Sequence, residues 1–168
     1  MNSTVYIAAF IIISLVLFGI LISWYNKRKK RRDTDKLIQD FDDFAIKNNL
    51  AIDKKQTLNK NMIGIDRMNF KLVFLDNNKT PQEFHLIDLL DLSNCRLIKH
   101  KNQNNGHISN ISLQCIFKEK KEQDIILPFY NEMSDDLFKM LRLSKKASYW
   151  EKSINIFRES AILLTQRA

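Results

Sequence analysis

The sequence predicts an α+β protein in which an N-terminal transmembrane helix precedes an antiparallel β-barrel or meander closed by a C-terminal amphipathic helix. Three observations support this fold class. Residues 5–25 carry no charged side chain. Between about 51 and 130, apolar and polar residues alternate with the period of two that strands require. From Leu143 to Leu164, apolar residues recur at steps of three and four, which is typical of one helix face.

The uncharged run at 5–25 has the length of a membrane span. Its 21 residues would extend roughly 31 Å as a helix, the thickness of a bilayer's hydrocarbon core. Trp24 and Tyr25 at its end suit the membrane interface. A cleaved signal peptide would carry its basic residues before the apolar run, whereas here they follow it. We therefore predict an anchor in the lipid bilayer.

A basic juxtamembrane linker at 26–33 carries most of the net charge of +8. Without its six cations, 21 basic residues face 19 acidic ones, so the folded body lacks the excess charge of a nucleic-acid-binding domain. Positive residues stay on the cytoplasmic side of a membrane. We expect the N-terminus outside, the following domain in the cytoplasm at the inner membrane, and contact with anionic headgroups. The six cations are Lys27, Arg28, Lys29, Lys30, Arg31 and Arg32.

An amphipathic helix is predicted over 34–49. Asp33 or Thr34 can cap its start. Its apolar residues fall on one face, which favours packing against the domain and leaves partner binding as the alternative. They are Leu37, Ile38, Phe41, Phe44 and Ala45.

The remaining chain, 50–168, is predicted as one β domain with a C-terminal helix. Short strands separated by tight turns indicate an antiparallel meander. Arg67–Asn69 fits a three-residue hairpin, because Asn tolerates a positive φ. The expected strands are Met62–Asp66, Phe70–Asp76, Glu83–Ile87, Cys95–Lys101, Ile108–Lys118 and Asp124–Tyr130.

The C-terminal helix is expected to start near Ser134 and to close the sheet. Trp150, Ile154 and Phe157 lie centrally in its apolar stripe. We predict that these three side chains belong to the structural core.

Three segments resemble a known class of proteins: Met62–Asp66, Phe70–Phe74 and Lys145–Trp150. They are similar to small, largely uncharacterised bacterial membrane proteins, in which a single N-terminal helix precedes a cytoplasmic pleckstrin-homology-like barrel. The resemblance covers most of 5–160 in layout. It implies an anchor and a fold but no activity, because that fold hosts lipid, peptide and protein binding alike.

No catalytic, cofactor or metal site is predicted. Cys95 and Cys115 lie twenty residues apart on strand patterns, where cysteine acts as a small buried hydrophobe. His85, His100 and His107 lack the spacing of a metal motif. The three glycines, Gly19, Gly64 and Gly106, cannot form a phosphate loop.

Three functions remain open. The favoured one is a membrane-anchored binding module for another membrane or membrane-proximal protein. The second is an enzyme with a membrane-proximal substrate, whose carboxylates would be Asp88 with Asp91, or Asp135 with Asp136.

The third is a cyclic di-GMP-binding barrel, which carries RxxxR and DxSxxG. Here Arg28 and Arg32 supply the first pattern, and Asp91 and Ser93 supply half of the second, with Arg96 in place of its glycine.

Overall fold

The computed structural model describes residues 2–102, 106–119 and 123–166. It confirms an α+β protein with an N-terminal helix, antiparallel sheets and a C-terminal helix. The chain divides into two compact units, Met1–Gln39 and Asp40–Ala168, which are described separately below. The elements are α1 (Asn2–Lys47), β1 (Lys54–Leu58), β2 (Asn61–Asp66), β3 (Lys71–Asp76), β4 (Glu83–Asp88), β5 (Leu92–Lys101), β6 (Ile108–Phe117), β7 (Ile125–Asn131) and α2 (Leu137–Thr165).

The first unit is helical throughout its described residues, and α1 continues beyond it without a break. The predicted helix start at Asp33 or Thr34 is therefore wrong. The hydroxyl of Thr34 instead donates to the Lys30 carbonyl inside the helix, at 2.9 Å. Residues 26–36 contain no Gly or Pro and are rich in Lys and Arg, which are good helix formers. The basic segment predicted as a linker is accordingly helical.

Among the side chains that the structure describes, no helical stretch is long and apolar enough to cross a membrane. The predicted span at 5–25 lies partly outside these side chains, because those of 5–13 and 15 are not described. Apolar side chains from Val16 to Tyr25 are exposed. At the end of this run, the guanidinium of Arg28 lies 3.9 Å from the ring centre of Trp24.

The second unit contains two antiparallel sheets. The first sheet has the strand order β1-β2-β3-β4, and the second has the order β5-β6-β7. Of the predicted barrel or meander, the barrel is wrong, since no described ladder joins the two sheets, whereas the antiparallel meander is confirmed in each sheet. Strand β1 was not predicted, because its sequence KKQTL has only a weak apolar alternation.

Side chains of α2 explain why the second sheet ends at β5. The amide of Asn155 donates to the Cys95 carbonyl at 2.7 Å and accepts from the Cys95 N–H at 3.0 Å. Glu151 accepts from the Leu97 N–H at 2.7 Å. These backbone groups are the ones that an additional strand would use, so α2 covers this edge instead.

The core lies between the inner faces of the two sheets and α2. Trp150 and Ile154 are fully buried there, and Phe157 is partly buried against the same cluster. The indole N–H of Trp150 donates to the side-chain oxygen of Gln56 on β1, at 2.8 Å. Tryptophan can occupy a dry core because its one polar group is satisfied in this way.

The outer face of the first sheet is covered by the last turns of α1. Phe41 is fully buried, and the ring of Phe44 stacks on Phe84 of β4 with centroids 4.2 Å apart. The absence of a side chain at Gly64 makes room for Phe41, because a Cβ there would lie 2.8 Å from its ring. Residues 40–47 therefore pack on the domain.

The β2–β3 turn differs from the predicted hairpin. The positive φ of 54° belongs to Phe70 and not to Asn69. Asn69 is held by Asp66, which accepts from its backbone N–H at 2.9 Å and from its side-chain amide at 2.7 Å. Burial alone raises the pKa of Asp66, but hydrogen bonds from Asn69, Ala51 and Met68 outweigh it and lower that pKa overall.

Candidate functional site

The turn before α2 and the first turns of α2 expose large apolar side chains, of which Leu137, Phe138 and Leu141 are neighbours on the helix surface. Met133 and Phe138 are 97% and 98% exposed, and Leu137 and Leu141 are 58% and 69% exposed. We call these four residues the α2 docking face. Soluble domains scatter single exposed apolar residues, but a contiguous group marks an interaction surface.

The α2 docking face borders a shallow groove of about 580 Å³. Helical geometry places Leu137, Phe138 and Leu141 opposite Leu143 and the buried stripe of α2. The core therefore cannot cover them. The groove is lined by Lys101, Gly106, His107, Ile108, Leu137, Phe138, Met140 and Leu141.

Cations border part of this apolar surface. Lys101 lines the groove, and the exposed residues Arg142 and Lys145 follow Phe138 and Leu141 by one helical turn. The α2 docking face is thus apolar in its middle and basic on the side of Arg142 and Lys145, while Glu132 and Asp136 are exposed beside Met133 and Leu137.

A second, polar cavity of about 470 Å³ lies where the β1–β2 turn, the end of β3 and the end of β7 meet. We call it the asparagine pocket. Asn61 is its structural centre: it donates to the Pro128 carbonyl and accepts from the Asn77 N–H, both at 3.0 Å. Its polar lining comprises Asn59, Lys60, Asn61, Asp76, Asn77, Asn78, Lys79, Tyr130, Asn131, Ser134 and Asp135.

Two buried groups of the asparagine pocket retain unused hydrogen-bonding capacity. Asp76 is only 4% exposed, and its Oδ1 accepts from the Asn78 backbone at 3.0 Å. Tyr130 is 1% exposed, and its hydroxyl has no hydrogen-bond partner among the described residues. Burial, and then the charges of Glu132 and Asp135, raise the pKa of Tyr130, so this hydroxyl stays protonated at neutral pH.

The two carboxylate pairs of the enzyme alternative lie at the β4–β5 turn and just before α2. Asp88 pairs with Lys71 and accepts from the Leu90 N–H at 2.8 Å, which shapes the β4–β5 turn. Asp91 is exposed on that turn. Asp91 also lines a small cavity together with Leu90, Lys118 and Glu119.

The second carboxylate pair has turn and helix roles. Asp135 accepts from the side chain of Asn59 and from the Asn131 N–H. Asp136 occupies the N-cap position of α2 and forms an ion pair with Lys139 at 2.9 Å.

The residues that match the two cyclic di-GMP-binding patterns are divided between the two units. Arg28 and Arg32, like the rest of the basic run, belong to the first unit. Ser93 and Arg96 belong to β5 in the second unit, where the Arg96 side chain donates to Gln114 at 2.8 Å.

Cys95 and Cys115 lie directly opposite each other on β5 and β6, as free and buried thiols. Within the described residues, no group of three or more His, Cys, Asp or Glu side chains is placed to hold a metal ion.

Sequence reasoning missed both the α2 docking face and the asparagine pocket. A usable signal existed for the first, because Leu137, Phe138 and Leu141 lie off the apolar stripe of α2. The pocket had no such signal, since Asp76 and Tyr130 are 54 positions apart and meet only through the sheets.

Comparison with known proteins gave no relatives: no family model, no curated protein and no solved structure matches this chain.

Proposed function

We propose that this chain is a single-pass, membrane-anchored module whose cytoplasmic domain binds another protein at the inner face of the cell membrane. The observation that supports the binding role is the α2 docking face, with Phe138 and Met133 almost fully exposed. Leaving such side chains in water forgoes the free energy of their burial, on the order of 1.5–3 kcal/mol for each. A partner that covers them gains this free energy.

The chemistry of the surface defines the partner. A groove with apolar residues at i, i+1 and i+4 of one helix accepts the apolar side of an amphipathic segment. Lys101, Arg142 and Lys145 at the edge favour acidic residues beside that apolar side. The proposed occupant is therefore an amphipathic helix with an acidic flank, carried by a membrane or membrane-proximal protein.

The anchor proposal rests on the sequence of residues 5–25 and on the cations that follow. A span of this length fixes a domain at the membrane, and one-sided cations favour the orientation with the N-terminus outside. Tethering raises the effective concentration of the domain toward other membrane-bound partners. A weak docking surface then suffices.

The pleckstrin-homology-like assignment is also part of this proposal. Seven antiparallel strands in sheets of four and three, followed by one C-terminal helix, support it. Such a fold provides a scaffold for binding and implies no chemical activity of its own.

The proposal is tested by photocrosslinking in cells with the full chain. A benzophenone amino acid replaces Phe138 at the α2 docking face, and Met68 serves as the matched control position. Met68 is also an exposed apolar residue. Its neighbour Arg67 contacts Phe157, and Phe157 lies roughly 28 Å along α2 from Phe138, so position 68 is far from the α2 docking face. We expect a discrete protein adduct from position 138 and none from position 68.

Two further variants decide what the adduct means. Leu141→Asp should abolish the adduct, because it places a charge in the apolar contact. Arg142→Glu should weaken it at least several-fold, because it reverses the edge charge. An adduct that survives both changes, an equal adduct from position 68, or an adduct with lipid alone would overturn the proposal.

A further inference from the structure

We propose that the asparagine pocket binds an organic cation, a guanidinium or primary ammonium group, with Asp76 as its counter-ion and Tyr130 as a second hydrogen-bonding partner. This site is independent of the α2 docking face and of the membrane anchor. It has the volume of a small-ligand site, about 470 Å³.

Asp76 is the first reason for a cationic ligand. Carboxylates are rarely this buried unless they are paired with a cation. No described Lys, Arg or His forms an ion pair with Asp76. Its Oδ1 accepts the backbone and side-chain N–H groups of Asn78, at 3.0 and 3.1 Å, whereas no described residue bonds to its Oδ2. One acceptor of a buried charge is thus available to a ligand.

Lys79 lies near enough to Asp76 for their charges to interact, but neither lysine of the pocket forms a direct ion pair with Asp76. Lys79 forms an ion pair with Glu83, and Lys60 is exposed at the rim. A guanidinium or ammonium head would make the short, charge-assisted hydrogen bond that Asp76 lacks.

Tyr130 is the second and independent reason. Its hydroxyl is buried without a partner, although it lines the same cavity. A buried hydroxyl without a hydrogen bond is costly, about 1–3 kcal/mol. Because this hydroxyl has almost no accessible surface in the structure, the ring or its neighbours must shift for the head group to reach it; the hydroxyl then accepts an N–H from that group or donates to a carbonyl beside it. Asn and Asp side chains around it offer further polar contacts to a hydrophilic ligand.

The test uses the full chain in detergent micelles and calorimetric titration with two isosteric probes. Methylguanidinium carries the charge, and methylurea has nearly the same shape without it. We expect heat of binding from methylguanidinium only. Equal binding of both probes, no binding of either, or preferential binding of inorganic phosphate through Lys60 and Lys79 would each overturn the proposal.

Variants separate recognition from folding. Asp76→Asn keeps the Oδ1-type acceptor for Asn78 and should weaken methylguanidinium binding about tenfold. Tyr130→Phe should weaken it a few-fold. Lys79→Met removes a competing cation and should strengthen it, a direction that general loss of structure cannot produce. Asp91→Asn, an exposed carboxylate on another turn, is the control and should change nothing.

The source of the cation is decided by two further probes. Tighter binding of the tripeptide Gly-Arg-Gly than of agmatine assigns the site to an arginine side chain of a protein. The reverse order assigns it to a free small amine. If the affinity for methylguanidinium is unchanged in both Asp76→Asn and Lys79→Met, and circular dichroism shows a folded domain, the site is refuted. This outcome is independent of the crosslinking result at the α2 docking face.

Discussion

Gly64 is the residue at which a missing side chain matters most. We expect Gly64→Ala to destabilise the domain by about 1–3 kcal/mol, because its Cβ would lie 2.8 Å from the Phe41 ring and 3.1 Å from Ile52. Urea denaturation of the full chain in detergent micelles measures this loss. Phe41→Leu should cost stability alone but partly rescue Gly64→Ala, and strict additivity of the two changes would contradict the proposed contact.

Cys95 links stability to alkaline pH. The hydrogen bond with Cys115, together with burial, raises the pKa of the Cys95 thiol far above its ordinary value of 9.0. Above about pH 9 the unfolded chain loses this proton and the folded chain keeps it, so the free energy of unfolding falls as pH rises. The fall should approach about 1.4 kcal/mol per pH unit for one such group.

Urea denaturation at pH 8, 9 and 10 measures this dependence, with Cys95→Ala as the matched control. The variant has a lower stability throughout but should lose less of it between pH 9 and 10. Parallel curves for the two proteins would show that Cys95 does not cause the loss. The same burial predicts slow alkylation of both cysteines in the folded protein at neutral pH.

Among the elements, α2 acts as a cover for the edge of β5 through Asn155. We expect Asn155→Ala to leave the N–H and carbonyl of Cys95 unpaired and to cost about 1–3 kcal/mol for each buried group. Hydrogen exchange at the Cys95 amide should accelerate, which denaturation alone would not reveal. Lys152→Ala, an exposed change three residues earlier, should shift stability by less than about 0.5 kcal/mol.

The other side of α2 holds the core through Trp150. Trp150→Ala should cost about 3–5 kcal/mol, since it removes a fully buried ring. Trp150→Phe should cost less, because it keeps most of the buried volume. It still loses the hydrogen bond to Gln56, so some destabilisation remains. Thermal unfolding followed by circular dichroism checks both. A melting temperature that hardly moves for Trp150→Ala would mean that α2 does not close the core.

At the scale of the whole molecule, the proposed topology predicts opposite accessibility for the two ends. A cysteine at residue 2 should react with an impermeant maleimide on intact cells. A cysteine in place of Met68 should react only after lysis, since Met68 is exposed on the domain. The native cysteines are buried and give little background. Labelling of position 68, but not of position 2, on intact cells would reverse the orientation.

The sequence by itself determined the elements that a local pattern specifies. The strands β2 to β7 lie within a few residues of their predicted positions, because alternation is a property of each segment. The stripe through Leu143, Trp150 and Ile154 indicated the buried face of α2 for the same reason. The uncharged run at 5–25 likewise carries the membrane prediction without any tertiary information.

Only the tertiary structure decided how these elements meet. No described ladder joins the two sheets, and Glu151 and Asn155 of α2 cover the edge of β5. A local sequence pattern cannot predict a side chain that bonds to a distant backbone group. The asparagine pocket likewise unites Asp76 and Tyr130 from separate strands. Such contacts depend on strand register and sheet packing, which all segments set together. They therefore cannot be predicted from one segment of the sequence at a time.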